Sequence, residues 1–259
     1  MSGREASVAA WGTTVRFLAL GAAWGTSFLF MRVAVQGLSP GQVVLSRLAL
    51  GGLVLNLLLV LMRRPWPRQR KLWMHLAVTG IIGCVVPFLL FAWAAGRIPS
   101  GLSSVLNAAT PLATAAVTLA ATRQEKVGLR RILGLCVGAL GILLVLSPWR
   151  FYAGGGVDLW GQLACLVAVL CFGVAFSYTR KYVSPYGADP IAVPATQMLL
   201  ATAAMLVLAP FVALGEMRLT APVAASIILL GVVGTGLAYV WNFRIIAEWV
   251  PLPPRPSRT

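Results

Sequence analysis

WGTSFLFMR, residues Trp24–Arg32, returns 148 positions later as FGVAFSYTR, residues Phe172–Arg180. An aromatic residue and a glycine open both stretches, a phenylalanine follows at the same place (Phe28, Phe176), and an arginine closes both (Arg32, Arg180). A second pair lies further along. GIIG (Gly80–Gly83) followed by Phe88 matches GVVG (Gly231–Gly234) followed by Tyr239, at an offset of 151. Short Gly-rich apolar segments can resemble one another by chance. Two blocks in the same order at nearly the same offset instead mark an internal repeat.

What repeats is membrane-spanning helix. The 259 residues are 59% hydrophobic and only 10% charged, with a mean hydropathy of +0.87, against roughly 25% charged residues in soluble domains. A spanning helix needs about 20 mostly apolar residues. Eight segments qualify: Val15 to Val35, Gly41 to Met62, Leu72 to Ala95, Ser100 to Ala121, Leu129 to Leu146, Leu159 to Val183, Pro190 to Leu214 and Ala221 to Ala247. They are called spans 1 to 8 below. Their connections are short and leave no room for a soluble domain. The expected fold is an all-α polytopic membrane protein. Spans 1 to 5 (residues 15–148) form one unit and spans 6 to 8 (residues 159–249) begin a second. Five crossings is an odd number, so the second copy enters the membrane from the opposite side. Inverted repeats of this kind are a plan of secondary transporters, with the substrate near the midplane between the halves.

The net charge of +15 raises the question of nucleic acid. That reading wants basic residues gathered on one face with polar or aromatic partners, whereas here they sit between apolar segments, and no nucleic-acid partner is expected. Their placement instead sets orientation. Arg4 and Arg16 precede span 1; Arg63, Arg64, Arg68, Arg70 and Lys71 join spans 2 and 3; Arg123, Lys126, Arg130 and Arg131 join spans 4 and 5; Arg180 and Lys181 end span 6. The opposite loops hold Arg97, Arg150 and Arg218, with Arg32 near that end of span 1. The N-terminus is therefore expected in the cytoplasm. No clear cleavage site follows the first apolar run, which reads as an uncleaved helix and not as a signal peptide.

Catalysis finds little support. The four cysteines (Cys84, Cys136, Cys165, Cys171) all fall in apolar stretches without a CxxC pair and read as small buried hydrophobes, so neither a metal nor another cofactor is expected. The single histidine, His75, lies near a span end, and every acid (Glu5, Asp158, Asp189, Glu125, Glu216, Glu248) lies at an end or in a loop. A nucleophile with a base is not available inside the membrane, and neither is the buried carboxylate that proton-coupled carriers often use. The chain does not read as an enzyme.

At this point the residues resemble a family. LGAAWGTSFLFMRVAV in span 1, SPGQVVLSRLAL entering span 2, NAATPLATAAVTLAATRQEKV at the end of span 4 and GLCVGALGILLVL in span 5 are similar to the EamA domain of the drug/metabolite transporter superfamily. The resemblance runs from about Val15 to Trp249. It implies two five-helix EamA units and ten helices in all, of which eight are present, and an exporter of small metabolites or drugs in the bacterial cytoplasmic membrane. Trp24-Gly25 looks like the family's aromatic-Gly, Arg47 like its span 2 arginine, Pro111 like its span 4 proline and Glu125 like the glutamate after that span.

Within the spans a few residues could meet a substrate. Arg47 lies about two turns into span 2, deeper than a snorkelling side chain, where an arginine is a functional candidate by default. It could attract an anionic group, or bond to backbone carbonyls and only fix packing. Trp24 belongs to the repeated motif. Phe88, Trp93, Tyr239 and Trp241 lie on spans 3 and 8, where rings suit either an organic substrate or helix packing. Asn107, Gln197 and Asn242 offer uncharged hydrogen-bonding groups, to a ligand or to a neighbouring helix. The expected partners are the lipid bilayer and a small organic or anionic molecule. A receptor or scaffold of the same architecture would bind that molecule without moving it.

The last residues, VPLPPRPSRT (250–259), break the pattern. Pro251, Pro253 and Pro254 forbid a continuing helix, where the repeat calls for a counterpart of span 4. Reading one base earlier, from the last G of the Trp249 codon, turns these codons into glycine followed by small residues, which resembles the family's approach to a ninth helix. A frameshift is the expected origin, with a genuine short tail and a cloning artefact as alternatives. On the frameshift reading, the chain lacks two helices and transports poorly or not at all. Sequencing the DNA beyond Trp249 tests it: in the alternative frame two further apolar spans should follow, and an early stop there would end the idea.

Overall fold

The computed structural model describes residues 3–121, 129–146 and 158–249; the tail from Val250 onward, Glu125 and Arg150 lie outside them. Eleven α-helices are described: α1 (Gly3–Ala34), α2 (Pro40–Leu61), α3 (Arg70–Gly80), α4 (Val86–Ala95), α5 (Ser100–Asn107), α6 (Thr110–Ala121), α7 (Leu129–Leu146), α8 (Leu159–Tyr178), α9 (Ala192–Val212), α10 (Ala221–Ile228) and α11 (Ala238–Trp249). π-Helical turns join α3 to α4 (Ile81–Val85) and α10 to α11 (Leu229–Leu237). Spans 3 and 8 are thus each one rod with a widened turn, and in both the widening covers part of the repeated GxxG segment.

Local chemistry explains where the rods begin. Ser39 caps α2, its hydroxyl accepting from the Gln42 amide while the Gln42 side chain accepts from Ser39 N at 2.9 Å, and Pro40 supplies a preset first turn. Asp158 caps α8 by accepting from Gly161 N at 2.8 Å, and Asp189 caps the start of α9 through Ile191 N at 2.9 Å. The Gln42 side-chain Nε2 donates in turn to the carbonyls of Ala213 and Gly215, tying the start of α2 to the end of α9.

Among the described residues, seven segments are long and apolar enough to cross a membrane: Gly12–Ala34, Pro40–Leu61, Arg70–Ala95, Ser100–Ala120, Leu159–Tyr186, Ala192–Val212 and Ala221–Asn242. An eighth apolar helix, Leu133–Leu146, lies within α7 and is shorter. Large apolar residues such as Leu53, Val60, Val207 and Phe211 are exposed on the outside of the bundle. Lipid is the solvent that such a surface fits, and the chain is a polytopic membrane protein. Of the cysteines, Cys84 and Cys165 are buried and Cys171 is half-buried, but Cys136 is exposed, lining an open apolar cavity between α6, α7 and α8.

The packing follows the sequence offsets. α2 lies along α9; α1 packs on span 8 as α8 packs on span 3; α2 packs on span 8 as α9 packs on span 3. Small residues set the closest approaches, as expected where lipid tails are as apolar as the side chains. Gly41 fits beneath the Val212 carbonyl, and Gly231 against Leu50. One pair of motif glycines differs sharply. A Cβ on Gly173 would meet the Ala113 carbonyl carbon at 2.9 Å and Thr114 N at 3.0 Å, whereas one on Gly25 would meet no described atom within 4 Å.

Gly173→Leu should therefore destabilise the purified chain by about 1–3 kcal/mol, the usual penalty of overpacking. Gly25→Leu should stay within about 0.5 kcal/mol of wild type, as an unpacked surface position does. Thermal unfolding in detergent separates them, and equal effects would show that the two glycines are packed alike.

Candidate functional site

Arg47 is the eighth residue of α2 and only 6% exposed. Its Nε donates to Thr235 Oγ1 at 3.0 Å, and its guanidinium lies 4.0 Å from the centre of the Phe88 ring. The Thr235 hydroxyl in turn donates to the Leu230 carbonyl at 3.0 Å, five residues back in the π-helical segment. The i to i+5 spacing of such a widened turn brings the hydroxyl onto that carbonyl. Beside these groups the Cys84 thiol and the Tyr239 hydroxyl share a hydrogen bond, both close enough to Arg47 to feel its charge.

The site is built in pairs. Phe88 and Tyr239 are related by the 151 offset, and so are Cys84 and Thr235, each directly after the second glycine of GIIG or GVVG. Reading the sequence missed Cys84 and Thr235 although that offset marks them both. Arg47 has its own counterpart. Its carbonyl oxygen lies 3.3 Å from where a Gly231 Cβ would stand, and the Gln197 carbonyl oxygen lies 3.1 Å from the same point on Gly80, the glycine matched to Gly231. The Gln197 side chain faces Gly83 at the head of this region. One half contributes a cation where the other contributes an amide.

From Phe88 a wall of rings continues. Phe172 lies 6.3 Å from Phe88, Phe91 stacks on Phe172 at 6.0 Å, and Phe28 meets Phe91 edge-on at 5.2 Å. Phe28 and Phe172 both belong to the repeated motif with which the two halves were first matched.

The remaining candidates lie elsewhere. Trp93 stacks under the Arg97 guanidinium at 3.6 Å, and Arg97 reaches Asp158 at 3.9 Å, so this ring is engaged at a span end. Trp241 packs with Leu20, Ala23 and Ile245 against α1. It is two residues from Tyr239, about 200° around the helix, which sends the two rings to different neighbours. Trp24 is 39% exposed on the bundle surface. Asn107 ends α5, its carbonyl accepting from the Thr110 hydroxyl at 2.7 Å, and Asn242 is half-buried on α11. Arg32 is occupied with the carbonyls of Ala95 and Ile98, the latter at 2.9 Å. His75 bonds the Tyr178 hydroxyl at 2.8 Å and stacks on Tyr182.

Comparison with known proteins adds the family. The profile of the EamA-like transporter family matches residues 12–147, more than half of the chain. Among curated proteins, the uncharacterized transporter YdfC of Bacillus subtilis (strain 168) is 27% identical over 225 residues, 84% of this chain and 70% of that one. The WAT1-related protein At3g02690, chloroplastic, of Arabidopsis thaliana is 31% identical over 155 residues, 59% of this chain and 36% of that one. A solved structure, described as a crystal structure of protein, shares the fold with a TM-score of 0.58 at 16% identity, covering 90% of this chain and 79% of that one.

No described side chain offers Arg47 a carboxylate, so its burial is a cost to folding. Arg47→Met keeps the volume and leaves the Thr235 hydroxyl still bonded to Leu230. The purified variant should unfold at the wild-type temperature or gain up to about 2 kcal/mol. A loss of more than that would make Arg47 a structural residue.

Proposed function

The chain belongs to the EamA-like transporter family, and from that premise we propose that it exports small organic molecules across the bacterial cytoplasmic membrane by alternating access. As a family member it is a multi-pass transmembrane transporter, and we assign it no catalytic role. Arg47, Phe88, Gln197 and Tyr239 are the residues we place in the substrate pathway. The observation that carries this is a buried cation without an acidic partner among the described side chains, held at the meeting of spans 2, 3 and 8.

Alternating access draws support from the way these groups pair. Phe88 with Tyr239 and Arg47 with Gln197 come from opposite halves, so rocking one half against the other changes which member of each pair faces water. The direction of transport rests on the resemblance described above. A cytoplasmic N-terminus draws its support from the basic loops between spans 2 and 3 and after span 6. Trp24, Trp93, Asn107 and Trp241 are engaged or exposed away from Arg47, and we leave them out of the pathway; Asn242, three residues after Tyr239 on α11 and half-buried, we keep as a candidate.

Inside-out vesicles carrying the chain test the proposal directly. Incubated with isotope-labelled cytosolic metabolites and analysed by mass spectrometry, they should accumulate at least one organic solute, with at least tenfold less in Arg47→Ala vesicles of equal protein content. Vesicles no different from empty-vector controls would point to a receptor or scaffold. Accumulation confined to right-side-out vesicles would reverse the direction.

A further inference from the structure

We infer that the ligand at Arg47 is an organic monoanion with a flat apolar body, and that its charge is the counter-ion the arginine lacks. That the ligand is also cargo rests on the transporter reading above; the binding itself does not.

The charges leave room for one anion. The three acidic side chains described are all placed outside the spans: Asp158 caps α8 and faces Arg97, Asp189 caps α9 and pairs with Arg64 at 3.4 Å, and Glu216 is exposed in a loop beside Arg218. None lies in a span. The nearby groups are also committed, since the Thr235 proton goes to Leu230 and the Cys84 thiol is bonded to Tyr239. The two terminal amines of Arg47 make no hydrogen bond to a described residue. A guanidinium edge with two free amines is the fork that takes a carboxylate or sulfonate in two parallel bonds.

The count also sets an upper limit. Arg32 is spent on backbone carbonyls and Arg97 on Trp93, so no second cation among the described side chains stands by to neutralise a dianion. A neutral ligand would leave Arg47 buried and bare, and a dianion would leave a bare negative charge. Only a monoanion closes the account. Phe88 already covers one face of the guanidinium and begins the ring wall through Phe172 and Phe91. Flat apolar surface stacks on such rings, whereas a sugar or a branched polar body would lose hydration there without replacement.

The test uses the purified full chain in lipid nanodiscs and four probes: benzenesulfonate, its neutral counterpart benzenesulfonamide, benzene-1,4-disulfonate and methanesulfonate. Benzenesulfonate should raise the unfolding temperature and bind at least tenfold more tightly than each of the others. Arg47→Gln should bind sulfonate and sulfonamide alike. Arg47→Lys, which keeps the charge without the fork, should retain the sulfonate preference at lower affinity. Phe88→Leu should weaken benzenesulfonate while leaving methanesulfonate unchanged. Equal binding of the sulfonamide, a preference that survives in Arg47→Gln, or no binding of benzenesulfonate to the wild type would each overturn the inference. Binding through Arg47 without accumulation of any solute in vesicles would sink the transporter reading alone. Transport of only neutral or doubly charged solutes would sink this inference alone.

Discussion

The contact between α2 and the π-helical segment Leu229–Leu237 is the constraint on which the rest depends. In a bilayer, apolar side chains gain little by leaving lipid for protein, and close backbone approach has to hold helices together. Here the approach is interlocked. Gly51 lies against Thr235, Gly231 against Leu50, and Gly236 against Val54, each so near that a Cβ on the glycine would overlap its neighbour. The same small residues that allow the approach make this stretch easy to widen into a π turn. The widening sets Leu230 under Thr235, whose hydroxyl donates to that carbonyl and whose oxygen is then available to Arg47. Packing, helix irregularity and the placement of a charge are three consequences of one glycine pattern.

The outline of this fold could be read from the sequence because membrane spans are defined by length and apolarity, and seven described segments from Gly12 to Asn242 meet that definition. Which face of a span looks inward is a different matter. In a soluble helix, polar residues mark the outside, but in α11 both Tyr239 and Trp241 are aromatic and nothing in their chemistry separates them. Only the fold sends one to Cys84 and the other to Leu20 and Ala23. Trp93 is the opposite case. Arg97 follows four positions later, a spacing that brings side chains together on a helix, so its stacking was available in the sequence and was passed over. The π turns of spans 3 and 8 were not legible, since no residue type demands them, although both of these fall on the GxxG segments; a third, Thr179–Val183, does not.

Divergence between matched positions carries more information than the match. Cys84 and Thr235 occupy equivalent places, yet only the threonine offers an oxygen to Arg47. Gly173 is pressed against the Ala113 backbone while Gly25 meets no described atom, although the surrounding motif is nearly the same. Arg47 and Gln197 present their carbonyls to matched glycines and differ in charge. A bundle with a cation at both places would hold two like charges in a region of low dielectric, where their repulsion is poorly screened. One cation and one amide keep a polar group in each half at the expense of a single charge.

That single charge also separates two kinds of intramembrane arginine. Arg32 lies in the last turn of α1, and its guanidinium reaches the carbonyls of Ala95 and Ile98 at and just beyond the end of α4, where carbonyls lack helical partners and carry partial negative charge. Such an arginine stabilises the helix end it touches and needs no ligand. Arg47 has one hydroxyl and one aromatic face. These interactions orient a guanidinium without neutralising it. Depth in the membrane, the criterion available from sequence, already sets Arg47 apart from Arg32, which lies in the last turn of α1; the partners show what each arginine does there. A site held in place by neutral groups and short of one negative charge is preorganised for an anion, because the energetic cost of burying the cation has already been met by folding.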